Sequence, residues 1–136
     1  MAVAFTTTYL GDLRTAITHE PSGTVIETDA PVDNHGRGER FSPTDLVAAS
    51  LGSCMLTIMG IVAKREGLDL SGTKVQVEKH MTSTPPRRLA EIVVAFVLPA
   101  GFASDQRQKL ERAAHTCPVS LSLHPEIKQT VTFSWG

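Results

Sequence analysis

The sequence has few residues of the types that carry several common functions. One Trp and one Tyr among 136 residues argue against an aromatic platform on which nucleic-acid bases stack. The 13 Lys and Arg nearly balance the 14 Asp and Glu, so the net charge of -1 gives no long-range attraction to nucleic acid or to an anionic membrane. Two cysteines are too few for a disulfide-stapled secreted scaffold. We therefore expect neither nucleic acid nor a membrane among the partners.

Several motifs are also missing. The chain has no Walker sequence, no dinucleotide-binding fingerprint and no G-x-S-x-G element. Its five histidines are scattered, and neither C-x-x-C nor H-x-x-x-H is present, so we predict no metal and no cofactor. Residues 1–8 lack the basic and apolar stretches of a signal peptide, which predicts a cytoplasmic protein.

The hydrophobic periodicity predicts an α+β chain. Its length suits a single domain over residues 1–136, and 41% apolar with 20% charged residues is typical of a soluble protein. The predicted order is β-β-β-α-β-β-α-β. The strands are expected over 3–9, 13–17, 24–28, 73–83, 89–98 and 131–135, and the helices over 43–66 and 104–116.

The longer helix has clear end signals. Ser42 is a good N-cap, Pro43 suits the first helical position, Asp45 can close a capping box, and Gly67 is a stop. Residues 46–63 carry no charge and approach the length of a membrane span. The small and polar residues among them favour instead a core helix buried on nearly all sides, which needs a large sheet or a second subunit.

The second half of the chain has two further signals. Residues 89–98 are apolar on both faces, which predicts a central strand covered on both sides. Ser104 is the predicted N-cap of the second helix, and Pro118 can start a short helical turn.

The two cysteines, Cys54 and Cys117, are the candidate reactive groups. A thiol becomes a nucleophile only as the thiolate. Cys117 has one local aid, the turn that follows Pro118, whereas the helical neighbours of Cys54 are small or apolar. A reactive Cys54 therefore needs a cation or hydrogen-bond donor from elsewhere in the fold or from a partner. The spacing of the cysteines fits an alternative equally well. In it Cys54 is a small buried hydrophobic residue, Cys117 lies at the end of a loop, and neither thiol is reactive.

The contexts of the two cysteines resemble those of a known family. Residues 42–54, SPTDLVAASLGSC, look like the helix signature of the OsmC-like family, which includes the organic hydroperoxide resistance proteins. Residues 117–120, CPVS, look like the second cysteine motif of that family, and residues 22–31 resemble its N-terminal region. The resemblance covers nearly the whole chain.

The resemblance implies a fold and an activity. The expected fold is an intertwined homodimer with two long central helices wrapped by sheets and active sites at the dimer interface. Cys54 would be the peroxidatic nucleophile and Cys117 the resolving thiol, in a peroxidase that reduces organic or hydrogen peroxides in oxidative stress defence. A dithiol reductant would then reopen the disulfide.

The sequence departs from the family's peroxidases at one pair of positions. Those proteins place an Arg from the N-terminal hairpin and a Glu from the start of the long helix near the reactive thiol. The corresponding positions here fall near Pro21 and on Thr44. Four charged residues are candidate substitutes: Asp45, with a predicted capping role, and Arg14, Glu39 and Arg40, all expected to be solvated.

Two alternatives to the peroxidase therefore stay open. One is a non-catalytic OsmC-like stress protein that binds a small apolar ligand at the dimer interface. The other is a redox-sensing module whose dithiol is oxidised once and does not turn over.

Overall fold

The computed structural model describes residues 1–136 and has the predicted order of elements, with two short additions. A 3₁₀ turn (Val32–Asn34) lies in the loop before the long helix, and a short helix follows Pro118, as predicted. The elements are β1 (Phe5–Gly11), β2 (Arg14–His19), β3 (Val25–Asp29), α1 (Pro43–Arg65), β4 (Lys74–Met81), β5 (Leu89–Leu98), α2 (Ser104–Ala114), α3 (Pro118–Ser122) and β6 (Lys128–Trp135).

The chain divides into two compact units, Met1–Val47 and Ala48–Gly136. The first unit contains a three-stranded antiparallel meander in the order β1-β2-β3. The β1–β2 turn places Asp12 and Leu13 at φ 53° and 64°, the left-handed conformation that a tight two-residue hairpin turn requires. That the whole chain forms one domain stays a prediction.

Helix α1 begins at the predicted capping box. The Asp45 N–H donates to Ser42 Oγ at 3.0 Å, and the Ser42 N–H donates to Asp45 Oδ2 at 2.9 Å. The helix ends at Arg65, and Gly67 follows in the left-handed conformation at φ 69°. The end signals therefore predicted both ends of the helix to within one residue.

The second unit contains a mixed sheet in the order β4-β5-β6. Strand β5 pairs antiparallel with β4 and parallel with β6, so its predicted central position is confirmed. One face of β5 is buried through Ile92, Val94 and Phe96. The prediction that β5 is covered on both sides was wrong for the single chain, because Val97 on the other face is 57% exposed.

The core of the second unit lies between α1 and this sheet. Leu51, Met55 and Met59 are fully buried and cluster with the buried face of β5. The helix is long and apolar enough to cross a membrane, but this pattern is that of a core helix. The prediction of burial on nearly all sides was wrong for one chain, since Ile61 is 47% exposed. A single sheet covers a helix along one stripe only.

The N-cap of helix α2 lies one residue before the predicted N-cap. This N-cap is Ala103, and Ser104 is the first helical residue, so the prediction of Ser104 as N-cap was wrong. The physical reason is the side chain of Gln106, whose Oε1 accepts the Ala103 N–H at 2.9 Å. The Gln106 side chain, at the third helical position, thus caps this end of the helix, although Ala103 has no side chain that could accept a hydrogen bond.

Candidate functional site

Cys117 occupies the N-cap of the five-residue helix α3. Because Pro118 disfavours the helical conformation for the residue before it, Cys117 is extended, with φ −67° and ψ 140°. Its side chain is fully buried, and its Sγ accepts the Ser120 N–H at 3.2 Å. The thiol therefore takes the place that a serine or aspartate oxygen takes in an ordinary helix cap.

Cys54 lies in the middle of α1 and is half-buried. It packs against the core cluster to which Cys117 belongs, and it lies close enough to Cys117 to raise the pKa of that thiol. Both cysteines are free. The fold thus brings together two thiols that lie far apart in the sequence, while their catalytic roles stay a prediction.

The surroundings of Cys117 act on its pKa in opposite directions. Burial raises the pKa of the Cys117 thiol, and the hydrogen bond and charge of Cys54 raise it further. The backbone N–H groups of Ser120 and Val119 lower the pKa because they stabilise the thiolate. The balance is a raised pKa, so Cys117 is protonated at neutral pH.

A second contact anchors the turn that holds Cys117. Ser120 Oγ donates to Gln129 Oε1 at 2.6 Å, and Gln129 Nε2 donates to the Ser120 carbonyl at 3.2 Å. Gln129 lies on β6, so this reciprocal pair ties α3 to the sheet. Sequence reasoning missed Gln129, which has no local signal, whereas Ser120 belongs to the CPVS motif.

The candidate substitutes for the family's Arg–Glu pair have partners within the first unit. Arg14 binds the buried Asp29 through both carboxylate oxygens, at 2.7 and 2.8 Å, and Glu39 at 2.9 Å. The expectation that Arg14 is solvated was wrong, since its side chain is 16% exposed. The Arg14 guanidinium holds the pKa of Asp29 at about 2. Arg14 is thereby committed to a structural ion pair.

The other three substitutes also have local partners. Arg40 is exposed and pairs with Glu27 at 3.0 Å, and Asp45 closes the capping box of α1. Glu39 is 60% exposed, as expected. Each of these contacts accounts for its residue without reference to the cysteines.

An open apolar groove runs along α1 close to the position of Cys54. Its volume is about 410 Å³, and its lining residues are Ala49, Gly52, Ser53, Leu56, Val75 and Val77. Ser53 directly precedes Cys54, so the groove lies next to the turn that carries this thiol. No cluster of three or more His, Cys, Asp or Glu side chains has the arrangement of a metal site.

The comparison with protein families agrees with these motifs. The family model described as OsmC-like protein matches residues 36–132, which include both cysteines. The chain belongs to the OsmC-like family. A search of curated protein sequences found no significant match.

Solved structures of OsmC-like proteins share the fold. A protein of Psychrobacter arcticus, described as an osmotic stress induced and detoxification response protein, is 46% identical, with a TM-score of 0.90 over 95% of this chain and 93% of that one. An organic hydroperoxide resistance protein of Elizabethkingia anophelis is 21% identical, with a TM-score of 0.79 over 100% and 97% of the two chains. An organic hydroperoxide resistance protein of Legionella pneumophila is 18% identical, with a TM-score of 0.74 over 98% and 97%. The predicted OsmC-like α+β fold is confirmed.

Proposed function

We propose that this protein is a thiol-dependent peroxidase that reduces organic or hydrogen peroxides through Cys54 and Cys117. The observation that carries the proposal is the proximity of two free thiols, since Cys54 packs on the core cluster that contains Cys117 and raises the pKa of its thiol. Two neighbouring free cysteines can form a disulfide when their backbones allow the required geometry. Two structural relatives are named organic hydroperoxide resistance proteins, which supports an organic hydroperoxide as the substrate.

The different environments of the two thiols support a division of roles. Cys54 is half-buried and is therefore the more accessible of the two residues, whereas Cys117 is fully buried and has a raised pKa. In the first step the Cys54 thiolate attacks the terminal peroxide oxygen. The O–O bond breaks, the sulfur becomes a sulfenic acid, and the peroxide leaves as an alcohol after taking up a proton.

The second step uses the contact between the thiols. Cys117 sulfur attacks the sulfenic sulfur of Cys54, the S–O bond breaks, and water leaves as the disulfide forms. A dithiol reductant then returns both cysteines to thiols and is itself oxidised to a disulfide. Each cycle consumes one peroxide and two reducing equivalents.

We further propose that the protein works as a cytoplasmic homodimer. The support is the apolar surface that a single chain leaves on α1, including Ile61 at 47% exposure. A helix that is apolar around most of its circumference is stable in water only when a second surface covers the part that one sheet leaves exposed. A partner subunit could also supply the cation or hydrogen-bond donor that the helix around Cys54 lacks.

The direct test is a titration of thiols after oxidation. The reduced protein is mixed with stoichiometric cumene hydroperoxide, free thiols are counted with time, and any disulfide is mapped by mass spectrometry. We expect fast loss of two thiols and a Cys54–Cys117 link, followed by steady turnover with a dithiol. The matched control is Cys54→Ser, in which Cys117 should survive the same treatment.

Other outcomes would overturn the proposal. Two unreacted thiols would favour the non-catalytic protein that binds an apolar ligand. Disulfide formation without steady turnover would favour the redox sensor. Unchanged turnover in Cys54→Ser would remove Cys54 from the reaction.

A further inference from the structure

Helix α3 directly follows Cys117, which is its N-cap, and burial of its own residues does little to hold it in place. It has five residues, none of them buried, and Leu121 is 74% exposed. An isolated helix of this length is unstable in water, so contacts with the rest of the fold must hold its shape. Val119 supplies part of that contact by packing on the core.

The polar part of the contact comes from one residue of β6. Gln129 accepts the Ser120 hydroxyl and donates to the Ser120 carbonyl, so it holds the same residue from two sides. The N–H of Ser120 is the group that hydrogen-bonds Cys117 Sγ. We propose, on the basis of the proposed function, that Gln129 is a positioning residue that holds Ser120 in place. The N–H of Ser120 then stabilises Cys117 as the leaving thiolate when the disulfide is reduced.

The burial of the two cysteines favours one of them as the target of the reductant. Cys54 is half-buried and Cys117 fully buried, so the thiolate of the reductant attacks the more accessible Cys54. A bond forms between the reductant sulfur and Cys54 Sγ, the disulfide bond breaks, and its electron pair leaves on Cys117, which then takes up a proton. The second thiol of the reductant releases Cys54 and closes its own disulfide.

The rate of that step depends on the leaving group. A thiol with a lower pKa leaves faster, and an aligned N–H stabilises the thiolate of Cys117. The first attack on peroxide takes place at Cys54 and does not involve Ser120. Loss of the Gln129 contact should therefore slow reduction of the disulfide and leave the oxidation of Cys54 unchanged.

The test substitutes Gln129 by methionine, which keeps the length of the side chain and removes both hydrogen bonds. We expect the rate constant of disulfide reduction by a dithiol to fall by about two- to fivefold. The rate of sulfenic acid formation with cumene hydroperoxide should match that of the wild type. Thr130→Val is the matched control, because it removes a side-chain hydrogen bond to Glu91 from the same strand.

A second readout is independent of peroxide and of turnover. In Cys54→Ser, Cys117 is the sole thiol, and its ultraviolet thiolate absorbance against pH gives its pKa directly. Adding Gln129→Met should raise that pKa, and adding Ser120→Ala should raise it less, because Ser120→Ala removes only the hydroxyl's hydrogen bond to Gln129 and keeps the backbone carbonyl and N–H. The double change should add little to Gln129→Met, as expected for two residues that act through one contact.

The two readouts separate the proposals. An unchanged Cys117 pKa in Gln129→Met, or an equal rise in Thr130→Val, would overturn the role of Gln129. A failure to form the Cys54–Cys117 disulfide would overturn the peroxidase and leave the pKa comparison valid.

Discussion

Gly52 of α1 lies so close to β4 that a methyl group at its Cα would stand 2.7 Å from Val77 Cγ2 and 3.1 Å from Val75 Cγ1. Real Cβ atoms do not approach a neighbour to 2.7 Å, so the helix packs here at a separation that only glycine permits. Gly52 is two residues before Cys54, and its contact with β4 helps to set the depth at which α1 carries that thiol.

Gly52→Ala should destabilise the protein. Overpacking a core costs about 1–3 kcal/mol, more than the ~0.5–1 kcal/mol that alanine gains over glycine within a helix. The measurement is the free energy of unfolding from urea titration. Gly60→Ala is the control, because no atom lies within 4 Å of a Cβ at this position of the same helix. Equal effects of the two substitutions would contradict the close packing at Gly52.

Cys117→Ser should separate the two chemical steps of the proposed reaction. Cys54 should still be oxidised by stoichiometric peroxide, but its sulfenic acid should persist because no second thiol resolves it. Intact mass spectrometry should show a gain of about 16 Da, and a further gain with excess peroxide as the sulfinic acid forms. Loss of all reactivity toward peroxide in Cys117→Ser, with the fold intact by circular dichroism, would mean that Cys117 is the attacking thiol.

The stability of the first unit should depend on pH through Asp29. The Arg14 hydrogen bonds hold the pKa of Asp29 at about 2, below the value of 3.8 expected when it is unpaired. A lowered pKa in the folded state contributes stability above pH 3.8, and this contribution is lost as the pH falls toward 2. Asp29→Asn should lower stability at neutral pH and flatten the loss between about pH 4 and pH 2.

The measurement is the urea midpoint at a series of pH values, followed by far-ultraviolet circular dichroism. Asp12→Asn is the matched control, since Asp12 is 78% exposed and pairs with Arg37 in the same unit. An exposed ion pair contributes little, so this variant should follow the wild type. The role of Asp29 would be excluded by an unchanged midpoint in Asp29→Asn at neutral pH.

The proposed dimer predicts a strong effect of charge at Ile61. An unpaired charge buried at an interface costs about 3–5 kcal/mol, so Ile61→Glu should weaken association by about a hundredfold or more. Analytical ultracentrifugation over a dilution series measures this shift. Gln108→Glu adds the same charge on an exposed position of α2 and should leave association unchanged. A wild-type protein that is monomeric at all concentrations would overturn the dimer proposal.

Local signals predicted those features whose causes are local. Ser42, Pro43 and Asp45 predicted the start of α1, because a helix end needs partners for its first N–H groups and these residues supply them. The run of residues 89–98, apolar on both faces, likewise predicted the bounds of β5. The N-cap of α2 was predicted one residue late, since the Gln106 side chain accepts the Ala103 N–H and so places the N-cap at Ala103.

The sequence by itself therefore determined the elements, their order and the two cysteine motifs, because helix caps, proline restrictions and hydrophobic periods act over a few residues. The tertiary structure alone decided that Cys54 and Cys117 lie near each other, and that Arg14 pairs with Asp29. It also decided that Gln129 holds the turn of Cys117. These contacts join residues far apart in the chain, and no local propensity encodes the distance between two elements that pack only when the whole core forms.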